Sequence, residues 1–300
     1  MALTINTNIP SLIAQRNLNQ ATNALSLSIE RMTTGYKINH AKDNAAGYSI
    51  AKLWETQLGS LDVAADNAAT GADMVTTAED SLALVSSHIQ RVRDLTEQAA
   101  NGTYGSNSLR AIKAEITARL EEINRISAST EFGGKKLLDG SINANVNLQV
   151  GLYADPNTNT ISINRDYFKS TACGDLFKDY SGDSTWTSVD AIAAACTGIN
   201  SSDTWDTSVN PAAALNKLDS VMNEVSKRTT NLGAAQNRIS SAIESINVQS
   251  QNITSSLSTL RDTDISAESS NYIKNQILQQ ASATLLSTAN QLPSIAINLI

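Results

Sequence analysis

Large rings are scarce: aromatic residues are 4% of the 300 positions, with only three Phe and three Trp, which excludes a core built mainly on them. Proline is scarcer still. Pro10, Pro156, Pro211 and Pro293 are the only four and leave long stretches free to run as helix. The two histidines, His40 and His88, have no partners at metal-ligand spacing, which excludes a histidine-based metal or acid–base site as the leading reading. Cys173 and Cys196 form no CxxC pair or zinc set; they could bridge or remain two thiols. Positive charge is dispersed and the formal net charge is -7, so nucleic acid is not an expected partner. No apolar run approaches the ~20 residues that cross a bilayer, so membrane insertion is not expected. The first residues lack a cleavable signal pattern and alone would place the chain in the cytoplasm. HExxH, phosphate-loop and activated-nucleophile patterns are missing too. An enzyme is therefore not expected, nor any cofactor, catalytic residue or bound metal.

What the chain has is period. Leu218, Met222, Val225, Leu232, Ile239, Ile243, Ile246, Ile253 and Leu257 follow four-three spacing, with Thr229, Gln236 and Ser250 as polar exceptions. Such polar positions can set the register of a helical seam or sit as solvated gaps. Leu61, Ala68, Val75, Leu82, Ile89 and Thr96 recur every seven residues and predict a helix from about Leu58 to Ala100. Leu109, Ile112, Ile116, Leu120 and Ile123 predict a second, antiparallel to it, over 108–129. Asn8 and Pro10 open a weaker helix carrying Leu18, Ala21, Leu25 and Met32, which Gly35 stops; a helix this weak needs a partner to be stable. From Gly35 to Ile50 the composition predicts a connection with a brief helical turn.

Between Val146 and Leu152 the period drops to two, predicting a strand whose hairpin mate carries Ile161 and Ile163. Residues 167–210 show no clear period and predict a short outward excursion. Asn210 and Pro211 then cap and open the long rod. After a polar break at 261–264, a last helix on Ile265, Ile273, Ile277, Leu285 and Ala289 is expected to end before Pro293 and leave an apolar tip at Ile295, Ile297, Leu299 and Ile300. The fold class is mainly α: long terminal helices forming a coiled coil and an antiparallel bundle, with a small β-hairpin and an irregular outer segment. The partition that follows is 1–45 with 261–300, 46–166 with 211–260, and 167–210.

Several blocks in order resemble bacterial flagellin: ERMTTGYKINHAKDNAAG from Glu30, QRVRDLTEQAANGT from Gln90, EITARLEEINRI from Glu115, NLGAAQNRI from Asn231 and ANQLPSIAINLI from Ala289. His40, Asn44 and Trp54 depart from the family's usual residues. The resemblance implies a filament subunit for swimming motility that is secreted unfolded by type III export. It overrides the cytoplasmic expectation. Implied partners are further copies of the chain, an export chaperone, and the filament cap and hook-junction proteins. The paired termini would form an inner tube and the bundle an outer wall, with 167–210 replacing a larger outer domain.

A polymer that does not close into a ring needs a heterologous contact. Leu18, Leu25 and Met32 near the start, with Ile273, Ile277 and Leu285 near the end, are the candidate polymerisation residues. The resemblance also implies recognition by Toll-like receptor 5 through Gln90, Arg91, Leu95 and Glu115, with Arg119 flanking; subunit packing is the other reading of these positions. A hook–filament junction protein shares the two-ended helical plan, and an intracellular coiled-coil scaffold shares the heptads. Neither accounts as well for the ordered blocks. Asn101, Asn200 and Asn252 head N-x-S/T triplets that carry little weight in a bacterial chain, and Ser or Thr in 170–210 could instead bear O-linked sugars.

Overall fold

The computed structural model describes residues 8–153, 155–180, 185–198 and 211–298, the side chains of 180 and 292–298 excepted. These residues belong to two compact units, Met1–Gly59 with Ser250–Ile300, and Ser60–Gln249. The units divide inside two long helices, α2 (Ala45–Ala100) and α6 (Pro211–Arg261).

In the larger unit, heptad positions become core. Leu61, Ala68, Val75, Leu82, Ile89 and Thr96 of α2 are all buried, as are Leu109, Ile112, Ile116, Leu120 and Ile123 of α3 (Ser106–Ser129). On α6 the fully buried row is Leu218, Val221, Val225, Arg228, Leu232 and Ile239. This row lies one residue ahead of the expected one at Met222, Thr229 and Gln236, which flank it. Gln236 Nε2 donates to Thr76 Oγ1 of α2 at 3.1 Å, so one polar exception does bridge two helices. Thr229 instead returns its hydroxyl to the Val225 carbonyl. Arg228 is the charged member of that buried row. In the fold it is buried, donating to the Lys169 carbonyl at 3.1 Å and contacting Glu224 Oε1 at 3.3 Å, which reduces the cost of placing a guanidinium there.

The expected hairpin is present. β3 (Val146–Gln149) pairs antiparallel with β4 (Thr160–Ile163), Val146 opposite Ile163 and Leu148 opposite Ile161, and the alternate residues turn inward. A smaller hairpin precedes it, β1 (Glu131–Phe132) with β2 (Lys135–Lys136), turned by Gly133 and Gly134 at φ 57° and 78°. Two consecutive positive φ angles suit a two-residue hairpin turn that glycine adopts without strain.

The segment without a period is more ordered than expected. A 3-10 turn over Arg165–Phe168 leads to α4 (Cys173–Tyr180) and α5 (Val189–Thr197), both packed on α3. Phe168, Leu176, Phe177, Trp186 and Ile192 enter the common core, with the Phe177 and Trp186 rings 6.0 Å apart. Helices of two turns are too short to display a repeat. Trp205 and Asn210 lie outside the described residues.

Cys173 and Cys196 are free and buried. Cys173 Sγ donates to the Leu120 carbonyl at 3.1 Å, and burial pushes each thiol up to about 12. A folded value above the unfolded one means stability is complete below the unfolded thiol pKa and is lost as pH rises toward the folded value. Unfolding midpoints are therefore expected to drop from about pH 9 upward. Iodoacetamide at pH 8.5 should label neither thiol in the folded chain and both in denaturant; rapid labelling of the folded chain would contradict their burial.

In the smaller unit, α1 (Ile9–Thr34) starts under the Asn8 side chain, whose Oδ1 accepts from Ser11 N, and stops at Gly35, φ 76°. The next helix begins well before the expected Leu58. Asn44 caps α2 through Gly47 N, and a Cβ at position 47 would lie 2.8 Å from Ile38 Cδ1. Gly47 is thus required by a close approach inside the first turn and does not break the helix. The last helix, α7 (Ile265–Asn298), corrects the other boundary, because it continues through Pro293. Proline costs the helix one hydrogen bond at that point, which a donor at the head of α1 replaces.

Candidate assembly interface

α1 and α7 run antiparallel and pack against each other. Asn8 stands opposite Ala289, Ser11 opposite Asn290, Thr22 opposite Gln279 and Arg31 opposite Glu268. Their mutual seam is made of small and polar side chains. Ala14, Ala21 and Ser28 on α1 are buried, as are Glu268, Ser282 and Ala289 on α7.

The large aliphatic residues point elsewhere. Ile273, Ile277 and Leu285 are 54, 60 and 62% exposed, and Leu278 with Leu12, Ile13 and Ile29 of α1 is exposed as well. Leu18, Leu25 and Met32 are half-buried along the flank of the pair. The six candidate residues thus divide: three on α7 face solvent, and three on α1 contribute part of their surface to the subunit itself. Sequence patterning missed Leu12, Ile13 and Ile29, which are exposed on α1 and lie off the row of Leu18, Leu25 and Met32.

An apolar hollow of 580 Å³ lies against this surface, lined by Ile9, Pro10, Ile13, Ala14, Leu285 and Ala289 among others. Its aliphatic walls can accept another aliphatic side chain; they carry no group suited to catalysis. No cluster of His, Cys, Asp or Glu placed to hold a metal occurs among the described residues.

The linkers of this unit are also tied. Tyr36 bridges to Asp262, Lys37 N donates to the Arg261 carbonyl at 2.7 Å, and the Arg261 guanidinium lies 3.9 Å from the centre of the Tyr36 ring. Arg261 also pairs with Glu55. The Lys52 ammonium bonded to Glu55 holds that carboxyl below its usual value, and Arg261 adds to the effect.

In the other unit, Arg91 reaches across from α2 to α3, its Nε and Nη2 each 2.9 Å from Glu115 Oε1, with Arg119 at 3.8 Å from the same oxygen. Gln90 is exposed beside them. Leu95 is not part of that surface. It is 2% exposed and belongs to the core, so the expectation that Arg91 and Leu95 share an accessible face is corrected. The apolar side chain turns toward the bundle while the guanidinium one turn earlier stays in water.

Comparisons with known proteins agree with this architecture. The sequence profile of the bacterial flagellin N-terminal helical region matches residues 5–143, and that of the C-terminal helical region matches 215–300. A flagellin of Bacillus subtilis is 35% identical over 99% of both chains. Polar flagellin F of Vibrio parahaemolyticus is 31% identical over the whole of both. Among solved structures, a protein described as flagellar hook-associated, also from Vibrio parahaemolyticus, superposes with a TM-score of 0.59 at 15% identity, covering 73% of this chain and 100% of that one. At that identity the likeness is one of fold alone.

Proposed function

The chain belongs to the bacterial flagellin family, whose members are structural subunits of the flagellar filament, and from that premise we propose that it is exported through the type III channel and polymerises into a filament that drives swimming. The observation carrying this reading is the inverted terminal pair. Small residues fill its own seam while Ile273, Ile277 and Leu285 remain in water. Burying one such side chain contributes roughly 1.5–3 kcal/mol, and a neighbouring copy repeated by a helical operation buries them in every subunit along the polymer. In the polymer, 1–45 with 261–300 line the inner tube, 46–166 with 211–260 form the outer wall, and 167–210 lies outermost. An export chaperone, a cap protein and hook-junction proteins are the partners this route requires.

The experiment compares the full chain with a version lacking 1–35 and 265–300, each added to short filament seeds and imaged by electron microscopy. Growth by the full chain alone is expected. The fold likeness to a hook-associated protein supports a second reading, a hook–filament junction role. If neither version grows and the full chain sits as a short cap on filament or hook ends, that role replaces the first.

A further role is as a ligand of Toll-like receptor 5, with Gln90, Arg91 and Glu115 as the contact and Leu95 supporting them from the core. The exposed Arg91–Glu115 pair favours it, because an ion pair in water contributes about 1 kcal/mol or less to the fold and so leaves both groups free for a partner. Arg91→Ala should reduce receptor signalling in reporter cells by about tenfold, as expected for a contact worth ~1.4 kcal/mol, without moving the melting midpoint. Full signalling by that variant would remove the proposal.

A further inference from the structure

The small residues of the seam between α1 and α7 do not by themselves set its register. Ala14, Ala21 and Ser28 are spaced by seven, and so are Ser282 and Ala289, so a slip of two turns would set alanine or serine against alanine or serine again. Polar contacts choose one alignment: Arg31 with Glu268 and Thr22 with Gln279 along the pair, and a third set at the head of α1. Pro293 has no N–H, and the carbonyl of Ala289, four residues earlier on α7, therefore lacks its helical donor. Asn8 Nδ2 donates to that carbonyl at 2.7 Å, while Asn8 Oδ1 caps α1 through Ser11 N at 3.1 Å. Ser11 Oγ adds a bond to Asn290 Oδ1 at 2.7 Å.

We propose that Asn8 and Pro293 act as a matched pair: proline exposes one backbone acceptor on α7, and asparagine, fixed at the head of α1, finds it, which locks the register of the terminal helices at that end. In a slipped alignment the Ala289 carbonyl loses this donor and has no helical one to fall back on. Register also governs the outer surface. Ile9, Pro10 and Ile13 share the hollow with Leu285, and a slip of two turns displaces these walls by roughly 10 Å. Asn8 is a positioning residue in this account. Its consequence for polymer growth rests on the filament reading above; its consequence for the helix pair does not.

The test is a double-mutant cycle on the full chain with Asn8→Ser, Pro293→Ala and both together. Serine still caps α1 but is too short to reach Ala289, and alanine at 293 returns an N–H to the Ala289 carbonyl. The readouts are amide exchange of residues 11–20 and the critical concentration for seeded growth. Exchange is followed on filaments where the wild type forms them and on the free chain where it does not. Asn8→Ser is expected to speed exchange by about tenfold in the wild-type background and by less than about threefold with Pro293→Ala, because the acceptor then has its own donor. Equal factors in the two backgrounds would reduce Asn8 to a cap and overturn the pairing, as would a wild-type α1 with no protection at all. A wild type that never grows filaments would count against the filament reading alone, since exchange still reports the helix pair.

Discussion

A chain carrying Ile277→Asp and Leu285→Asp will fail to add to filament seeds at concentrations where the unaltered chain grows. Both side chains lie mostly in water on the outer face of α7, at 60 and 62% exposure, and the only contacts altered within the subunit are those Leu285 makes in the open hollow beside Ile9 and Ile13. The folded subunit should keep its stability within about 0.5 kcal/mol, the usual range for surface changes. In the polymer each aspartate forfeits roughly 1.5–3 kcal/mol of apolar burial and adds the cost of desolvating a carboxylate. Two such losses exceed ~3 kcal/mol, which corresponds to a rise in critical concentration of at least about 100-fold. The measurement is pelleting of seeded polymer across a concentration series, with circular dichroism confirming the helices. Normal growth of the double variant would show that this face is not between subunits. Leu18→Asp is different in kind, because Leu18 is half-buried in the pair and the change should unsettle α1 itself.

The second large effect concerns the core. Trp186→Ala should lower the unfolding free energy by ~3–5 kcal/mol, the range for truncating a buried large ring. Trp186 is 2% exposed, packs on Phe177, and has the Lys217 ammonium 5.3 Å above its ring, so its removal leaves a void that α4, α5 and α6 would have to close. Urea unfolding of the full chain, followed by near-ultraviolet circular dichroism, measures it. A loss below 1 kcal/mol would mean that the segment after Phe168 is an ornament on the bundle and not part of its interior.

That segment marks where sequence reading reached its limit. Long helices were legible because a heptad sustained over many turns is produced by little besides a buried helical seam; every seventh residue from Leu61 to Thr96 is buried. Period-two alternation at 146–152 identified the hairpin for the same reason. The misses have separate causes. α4 and α5 are too short to show a repeat. The start of α2 was hidden by Gly47, whose role depends on Ile38 lying against it, a contact absent from local sequence. Pro293 looked like a stop because its compensating donor, Asn8, sits at the opposite end of the chain. Arg228 carried no signal of burial in the sequence, because its acceptor is a backbone carbonyl on another segment. At the candidate interface, spacing identified the exposed residues of α7. It did not separate Arg91 from Leu95, since residues four apart on one helix can still fall on either side of the water boundary.

The state of Cys173 and Cys196 has a consequence for the surroundings in which the fold can be completed. Each thiol is enclosed on its own, with no covalent link, and these are the only two cysteines in the chain. No oxidant, isomerase or pairing choice stands between the unfolded chain and its final packing, and no mispaired bridge within one chain has to be undone. Stability accordingly does not depend on a disulfide, and the folded packing of these thiols needs neither an oxidising nor a reducing environment to form.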